Sequence, residues 1–546
     1  MKVIVEDQVM SVSKDITLEG LLKEIESADR PLIVAAKVNN RLKELIHPVR
    51  EGDSVEWVDL SHTDGMRIYQ RSLSFIFIRA VMELYQGTNV EVKHSLSQGL
   101  YCELTGEHHL KRRDLRDIEE RMRGIIGEDE PFNQMLMSIA EAREAFEKYG
   151  MCSKLDLLKY RDKDFVKMYS LGWVKDYFYG YMVPSAGYIR EFELKHYKPG
   201  ILLRHPVPFS PHGVPPFRED AQLFKIHQEA EQWGGILNVG FVANLNDKIL
   251  SGEAPELIKV AEALHEKKIA RIADQISQEG KRVILIAGPS SSGKTSFANR
   301  LLIQLIVNGL KPITLSTDDY FVNREQTPLD EKGEYDFDTI KAVDTTLFNR
   351  DLKCILDGEK TPIPTFNFQT GQREYLGKFI EIDEDQPVII EGIHALNDEL
   401  TREVLIKDKF KIYVSALTHL NIDSHNRIPT TDVRMLRRII RDHQFRGHDA
   451  ARTLSMWPMV RKGEELYIFP FQENADAMFN SALVYEMAVL RKHALPLLEK
   501  IGPEEMIYSE ARRLIRFLGY FVDIEDESLI PKTSILKEFI GGSSLF

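Results

Sequence analysis

An α/β chain is predicted: a parallel sheet built around a phosphate-binding loop in the C-terminal half, preceded by a β-grasp-like unit and an α+β region. Three observations carry that prediction. The apolar run Val283–Ala287 leads into GPSSSGKTS at 288–296 and then into FANRLLIQLIVNG, which reads as strand, glycine loop, helix. Two further apolar runs, 312–316 and 387–390, end beside acidic residues, as strands do when they bring side chains to the carboxyl edge of a parallel sheet. The first sixty residues set short apolar runs between turn signals in the order ββαβ…β.

Composition bounds the function classes. A length of 546 residues suggests roughly three or four domains. The hydrophobic share of 43% and the charged share of 28% are those of a globular chain, and no apolar run is long enough to cross a bilayer. A net charge of −13 argues against coating nucleic acid by bulk electrostatics, so any contact with RNA would rest on a local basic face. Cys102, Cys152 and Cys354 form no Cys-x-x-Cys pair, which argues against structural disulfides and a thiolate zinc site. The opening MKVIVEDQVM has acids where a secretion signal needs its apolar centre. A cytoplasmic homo-oligomer without a membrane partner is expected.

Lys2–Val5 and Val9–Val12 read as a hairpin, and Leu18–Glu26 as a short helix with Leu21, Leu22 and Ile25 apolar. Ile33–Val38 is a strand stopped by Asn39-Asn40, and Val55–Val58 another after Glu51-Gly52-Asp53. That order, with the phrase AAKVNNRLKELIHPVREGDSVEWV, resembles the TGS domain of threonyl-tRNA synthetases and implies a β-grasp module over 1–60. Over 61–215 the phrases TGEHHLKRRDLRDIEERMRGIIGEDEPF and EAREAFEKYG are similar to the second, α+β domain of those synthetases. In that family the domain carries an editing site made of a His-x3-His pair and a later Cys/His pair. The matching positions here are Arg71, Phe75, Phe178 and Met182, none of which supplies an imidazole or thiolate ligand. The expectation is a retained scaffold without aminoacyl-tRNA hydrolysis, with RNA a partner that the resemblance allows.

Adjacent His108 and His109 point in different directions and read as a solvated pair rather than a metal site. The run Lys111, Arg112, Arg113, Arg116, Arg121, Arg123 is interleaved with Asp114, Asp117, Glu119 and Glu120, the pattern of a salt-bridged helix face. The Pro-rich passage 205–216 marks a boundary or an ordered extended crossing. A helical connector over 216–278 follows, with helices at Ala221–Trp233 and Ala254–Gln278 separated by Gly234-Gly235 and Asn244-Leu245-Asn246-Asp247.

The phosphate-loop domain is expected over 279–500. Its spacing Gly-x4-Gly-Lys-Thr turns the backbone at Gly288 and Gly293, so that consecutive N–H groups and the positive end of the next helix converge on a polyphosphate. Ser290, Ser291, Ser292, Gly293, Lys294, Thr295 and Ser296 are accordingly candidate ATP contacts. Lys294 would reach the β- and γ-phosphates, and Thr295 would place its hydroxyl on Mg²⁺. The strand 312–316 delivers Asp318, and transfer of a phosphoryl group to a hydroxyl needs a carboxylate beside the attacking oxygen. Asp319 reads as a helix cap. Glu391, at the tip of the strand 387–390, is placed to hold Mg²⁺ directly or through water, and His394 reads as its packing neighbour.

In TTDVRMLRRIIRDHQFRGHD, Arg434, Arg437, Arg438 and Arg441 recur on one helical face, with Met435, Leu436, Ile439 and Ile440 on the other. Four guanidinium groups on one stripe repel one another unless an anion is present, and a lid closing over ATP would supply it. The competing reading is a solvated basic face balanced by Asp432 and Asp442. The helical tail, 501–546, shows no site chemistry from 528 onward.

The loop, LSTDDYF, YDFDTIKAVD, the strand ending in Glu391-Gly392, and DVRMLRRIIRD occur over about 281–498 in the order of the uridine kinase and phosphoribulokinase family, which this segment resembles. The resemblance implies Asp318 as catalytic base assisted by Lys294, Arg437 and Arg438, and Thr295, Glu391 and Asp318 at Mg²⁺. It places Asp338 on the sugar hydroxyls of the acceptor, Arg434, Arg437 and Arg438 in the lid, and Arg441 beside ATP. The segment PTFNFQTGQR offers Phe366 and Phe368 on one side of an extended strand, then Arg373, as base-holding residues, but the family's histidine falls on Gly371. Core packing of the two phenylalanines is the competing reading. A kinase using ATP and Mg²⁺ on a small-molecule hydroxyl is expected, with a nucleoside as first acceptor. A non-nucleoside sugar or polyol, or an RNA- or ribosome-associated ATP switch, is the alternative.

Overall fold

The computed structural model describes residues 1–25, 30–161, 163–329, 333, 335–367 and 369–546. At the N-terminus, Glu6 and Asp7 adopt positive φ and turn β1 (Lys2–Val5) back into β2 (Gln8–Ser11). Thr17 caps α1 (Leu18–Glu24) by accepting from the Gly20 N–H, and the chain continues into β3 (Ile33–Val38), β4 (Arg41–Glu44) and β5 (Ser54–Asp59). The sheet order is β2-β1-β5-β3-β4, with β1 and β5 parallel. Val3, Val5, Leu18, Leu21, Val55 and Trp57 fill the space between sheet and helix, the β-grasp arrangement. The expected helix end at Glu26 falls outside the described residues.

An α+β unit follows. The long α2 (Thr63–Leu84) is buried on almost every side, because Phe75, Ile76, Phe77 and Ile78 leave it no polar face there. Around it run β6 (Thr88–Leu96), β7 (Gly99–Gly106), α3 (Asp114–Glu128), β8 (Asn133–Ser138), α4 (Ile139–Lys148) and α5 (Cys152–Leu158). Then come β9 (Phe165–Leu171), β10 (Val174–Asp176), β11 (Glu193–Tyr197) and β12 (Gly200–Arg204). These strands form two antiparallel sheets, β11-β12-β7-β6 and β10-β9-β8. On α3, Arg121 pairs with Glu83 and Glu128 and Arg123 with Glu119, the salt-bridged face expected. His108 is not simply solvated: its ring stacks on Tyr85 at 3.9 Å and its Nε2 lies 2.7 Å from Asp114.

The connector departs from expectation at both of its expected breaks. Its first helix, α6 (Ala221–Leu237), runs through Gly234-Gly235 and stops at Asn238, which takes the left-handed cap. Glycine is required at 234 for contact rather than for a turn, since a Cβ there would lie 2.6 Å from the His419 ring. The stretch 244–247 lies inside α7 (Val242–Leu250), and α8 (Ala254–Gln278) follows.

The C-terminal half is built on β13 (Val283–Ala287), α9 (Lys294–Val307), β14 (Ile313–Ser316) and α10 (Thr345–Leu356). Two short ribbons follow, in which β15 (Thr361–Pro362) pairs with β18 (Phe379–Ile380), and β16 (Thr365–Asn367) with β17 (Gln372–Glu374). Next are β19 (Val388–Glu391), β20 (Lys409–Ser415), α11 (Thr430–Arg446), α12 (Ala450–Tyr467), β21 (Ala477–Asn480), α13 (Glu486–Leu498), α14 (Tyr508–Leu518) and α15 (Lys537–Ile540). The sheet runs β14-β19-β13-β20-β21 with every pair parallel. Burial on both faces explains why β13 and β19 read as unbroken apolar runs.

The two halves interlock. Lys154, fully buried, reaches Asp176 at 2.9 Å within its own half and Asp423 at 3.1 Å across the junction. His425 Nδ1 lies 2.6 Å from the other oxygen of Asp176, and the Val92 N–H donates to the Ser424 carbonyl at 2.8 Å. Burial alone would push the Asp176 carboxyl up, but Lys154 and His425 hold it below the ordinary carboxylate range. Among the described residues no helix is long and apolar enough to cross a membrane.

Candidate active site

After β13 the chain turns at Gly288, where a Cβ would lie 2.1 Å from the Val414 carbonyl of β20, so the loop leaves the sheet in a space only glycine fits. Ser291 and Gly293 take positive φ, and α9 starts at Lys294 with Gly293 as its cap. The buried hydroxyls of Ser291 and Ser292 have no hydrogen-bond partner among the described residues. Lys294 Nζ donates to the carbonyls of Gly288 at 3.0 Å and Pro289 at 3.3 Å. Burial lowers its pKa, against the pull of Glu391, Asp318 and Glu538.

Register in the parallel sheet brings the acids to this loop. Glu391 is level with Ile286 of β13 on one side and with Ser316 of β14 on the other. Its Oε1 accepts from the Thr295 hydroxyl at 3.0 Å. Two residues past Ser316, in the 3₁₀ turn Thr317–Tyr320, Asp318 has its own N–H held by the Ser316 hydroxyl at 3.2 Å and is itself exposed. Desolvation by the surrounding protein pushes the Asp318 carboxyl up, although Lys294 opposes it; Glu391 is likewise raised by burial against Lys294 and Thr295. Lys294, Thr295, Asp318 and Glu391 thus form one cluster of mutually acting charges and hydroxyls at the carboxyl edge.

The arginine stripe differs from expectation. Helix α11 is enclosed rather than hinged over the cleft: Val433, Met435, Leu436, Ile439 and Ile440 lie in the core, and Arg434 and Arg437 are also fully buried. Counter-ions within the chain replace the anion that the stripe was expected to need. Arg434 pairs with Glu464 and donates to the Ser290 carbonyl at 3.0 Å. Arg437 pairs with Glu486 at 2.7 Å and donates to the Ser481 carbonyl at 2.9 Å and the Ser291 carbonyl at 3.4 Å. Both therefore brace the back of the loop. Arg438 Nη1 donates to the Ser290 hydroxyl at 2.8 Å, with Asp442 at 3.2 Å from its Nε, and Arg441 lies 2.8 Å from Asp442.

The acceptor side is less open than expected. Phe366 is buried, its ring 5.6 Å from Phe321, which is the packing alternative; Phe368 lies outside the described residues. Arg373 Nη1 is paired with Asp344 at 3.0 Å. Asp319, expected as a helix cap, accepts from the Phe366 N–H at 3.4 Å and so anchors β16 instead. Asp338 is half-buried near Arg438, and burial, with Asp336 and Glu464 adding to it, pushes its carboxyl up to about 6.

One participant was missed. Glu538 of α15 accepts from the Ser296 hydroxyl at 2.7 Å and the Ser296 N–H at 3.2 Å, while Ile535 packs over Gly293. The tail therefore does reach the loop. No pattern in 528–546 announces it, because a lone acid gains meaning only from what it folds against.

Residues 283–488 match the model of the phosphoribulokinase/uridine kinase family. This segment is a domain of that family. Over 195 residues the chain is 29% identical to a protein named uridine kinase from Macrococcus caseolyticus, covering 36% of this chain and 85% of that protein. It is also 29% identical over 187 residues to a threonine–tRNA ligase from Desulforamulus reducens, covering 34% of this chain and 28% of the ligase, so it spans little more than a quarter of that relative. A solved structure described as a possible uridine kinase from Bacillus stearothermophilus aligns over 39% of this chain and 98% of its own, at 18% identity and a TM-score of 0.28. The N-terminal half is thus the part similar to threonine–tRNA ligases, and the phosphoribulokinase/uridine kinase domain follows it.

Proposed function

We propose that the chain is an ATP- and Mg²⁺-dependent kinase that transfers the γ-phosphoryl group to a hydroxyl of a small molecule, with a nucleoside as first candidate and another sugar or polyol as second. The observation that carries this reading is the single cluster of Lys294, Thr295, Asp318 and Glu391 at the sheet edge. The residues present fit both groups: two buried serine hydroxyls without partners among the described residues and a loop of N–H groups suit phosphate oxygens, and the Thr295 hydroxyl beside the Glu391 carboxylate suits a hard cation. Mg²⁺ when bound would offset the charge on the transferring phosphate.

The chain's own residues do the rest. Lys294, released from the loop carbonyls, would set its ammonium against the phosphate oxygens. Asp338 would accept hydrogen bonds from the acceptor's hydroxyls, and Asp318 would orient the attacking hydroxyl and take its proton. Arg438, which already donates to the Ser290 hydroxyl, and Arg441, which acts on Lys294, are the proposed donors to the phosphates, while Arg434 and Arg437 keep the loop in shape. Phe366 and Arg373 would act on the acceptor only from behind, through the ribbon they pack.

The test is a panel of nucleosides, sugars, polyols and tRNA, assayed for ATP-dependent product. A phosphorylated small molecule is expected, and Asp318→Asn is expected to lower its kcat by about 10²–10⁴-fold with ATP affinity kept. Stimulation of ATP hydrolysis by tRNA alone would replace this reading with that of an RNA-associated ATP switch.

A further inference from the structure

A cavity of about 230 Å³ lies between the two halves of the chain, closed by α2, by the segment 422–432 and by α14. None of its lining residues belongs to the phosphate loop. Arg67, Gln70, Arg71 and Ser74 fall along one face of α2 and meet Arg427 and Arg513 across it.

The charges in this cavity do not balance. Arg513 reaches Asp432 at 2.6 Å and Glu510 at 2.7 Å, and Arg67 reaches Glu510 at 2.9 Å and Asp64 at 3.0 Å. Those two guanidinium groups are matched. Arg71 donates to the Tyr181 carbonyl at 2.6 Å and has no carboxylate partner among the described residues. Arg427 bridges Asn421 through its backbone, and its guanidinium is drawn by Asp432, the carboxylate that Arg513 already holds. Burial lowers the pKa of Arg71 and of Arg427 to about 10, which still leaves both charged at neutral pH. Among the described residues Arg67, Arg71, Arg427 and Arg513 face only Asp64, Asp432 and Glu510, and an excess guanidinium charge is costly to hold in a cavity unless an anion enters it. The remaining wall is apolar, with Met66, Val92, Leu100, Phe178 and Ile422.

We infer that this cavity is a binding site for a small phosphate monoester, its phosphate held by Arg71 and Arg427 and its body lying against the Phe178 wall. The guanidinium fork matches phosphate oxygens in pairs. The volume falls below the roughly 300 Å³ at which drug-sized sites begin, which limits the ligand to about a sugar phosphate. The site is separate from the proposed acceptor cleft and holds whether or not that reading does.

The test uses the full-length protein with its phosphate loop saturated by Mg²⁺ and a non-hydrolysable ATP analogue, titrated by calorimetry with ribose 5-phosphate, inorganic phosphate and ribose. Ribose 5-phosphate is expected to bind one molecule per chain, inorganic phosphate more weakly, and ribose not at all. Arg427→Gln and Arg71→Gln are each expected to weaken ribose 5-phosphate by about ten-fold or more, with the affinity for the ATP analogue unchanged as the fold control. Hydrogen exchange on the unaltered protein gives a reading that needs no variant, with protection expected in 63–74 and 422–432. Unchanged affinity in both variants, ribose binding as tightly as its phosphate, no binding by the wild-type protein, or protection confined to 288–296 would each overturn the inference.

Discussion

Asp338 sits where its charge changes near neutrality. Burial pushes its carboxyl up to about 6, with Asp336 and Glu464 adding to the effect and Arg438 opposing it. The proton is therefore bound below about pH 6 and released above it, and only the released form is the pure acceptor that a hydroxyl-holding residue must be. On the proposed reading, the acceptor KM rises as pH falls from about 7 to about 5, while the ATP KM stays flat. Measuring both constants across that range decides it, and an acceptor KM that does not move removes Asp338 from the role. For stability the sign is opposite: the unfolded chain keeps an ordinary carboxyl near 4, so stability from this group falls as pH climbs from about 4 to about 6. At this scale the sequence was most legible where a residue's place follows from the end of a strand, as for Asp318 and Glu391. It was least legible where a partner comes from elsewhere in the fold. Arg434 and Arg437 looked unbalanced because Glu464 and Glu486 lie 30 and 49 residues away, a separation that local spacing cannot bridge.

Helices and strands followed their apolar periods closely, and β13, β3 and α8 keep the bounds expected of them. Helix α6 did not, because tertiary contact at Gly234 outweighed the helix-breaking tendency of two glycines. The short α15 has a larger consequence. Its Glu538 carboxylate takes both the N–H and the hydroxyl of Ser296, two of the donors proposed for a nucleotide phosphate. A carboxylate and a phosphate cannot share them, so the tail competes with ATP on the proposed reading. Glu538→Ala is expected to lower the KM for ATP by about five-fold, the worth of roughly 1 kcal/mol of a charge-assisted hydrogen bond set against water. Steady-state kinetics at saturating acceptor would show it. A KM that rises instead would mean that Glu538 supports the loop.

Taken as one molecule, the chain is joined by burial more than by its connector. Lys154, Asp176, Asp423 and His425 form a dry charged knot whose members come from both halves. Asp423 also accepts from the His425 N–H, the Asn426 N–H and the Asn426 side chain, so its removal strands several donors at once. Asp423→Ala is expected to cost about 3–5 kcal/mol, seen as a lower urea midpoint for the whole protein in a single transition, with kinetics of the folded fraction unaffected. Two well-separated transitions would show the halves to be independent. The same knot bears on how this polypeptide is to be handled in the laboratory. A gene trimmed to residues 279–546 would leave Asp423 and His425 facing solvent beside a bared apolar seam, and the product is expected to precipitate when made without its front portion.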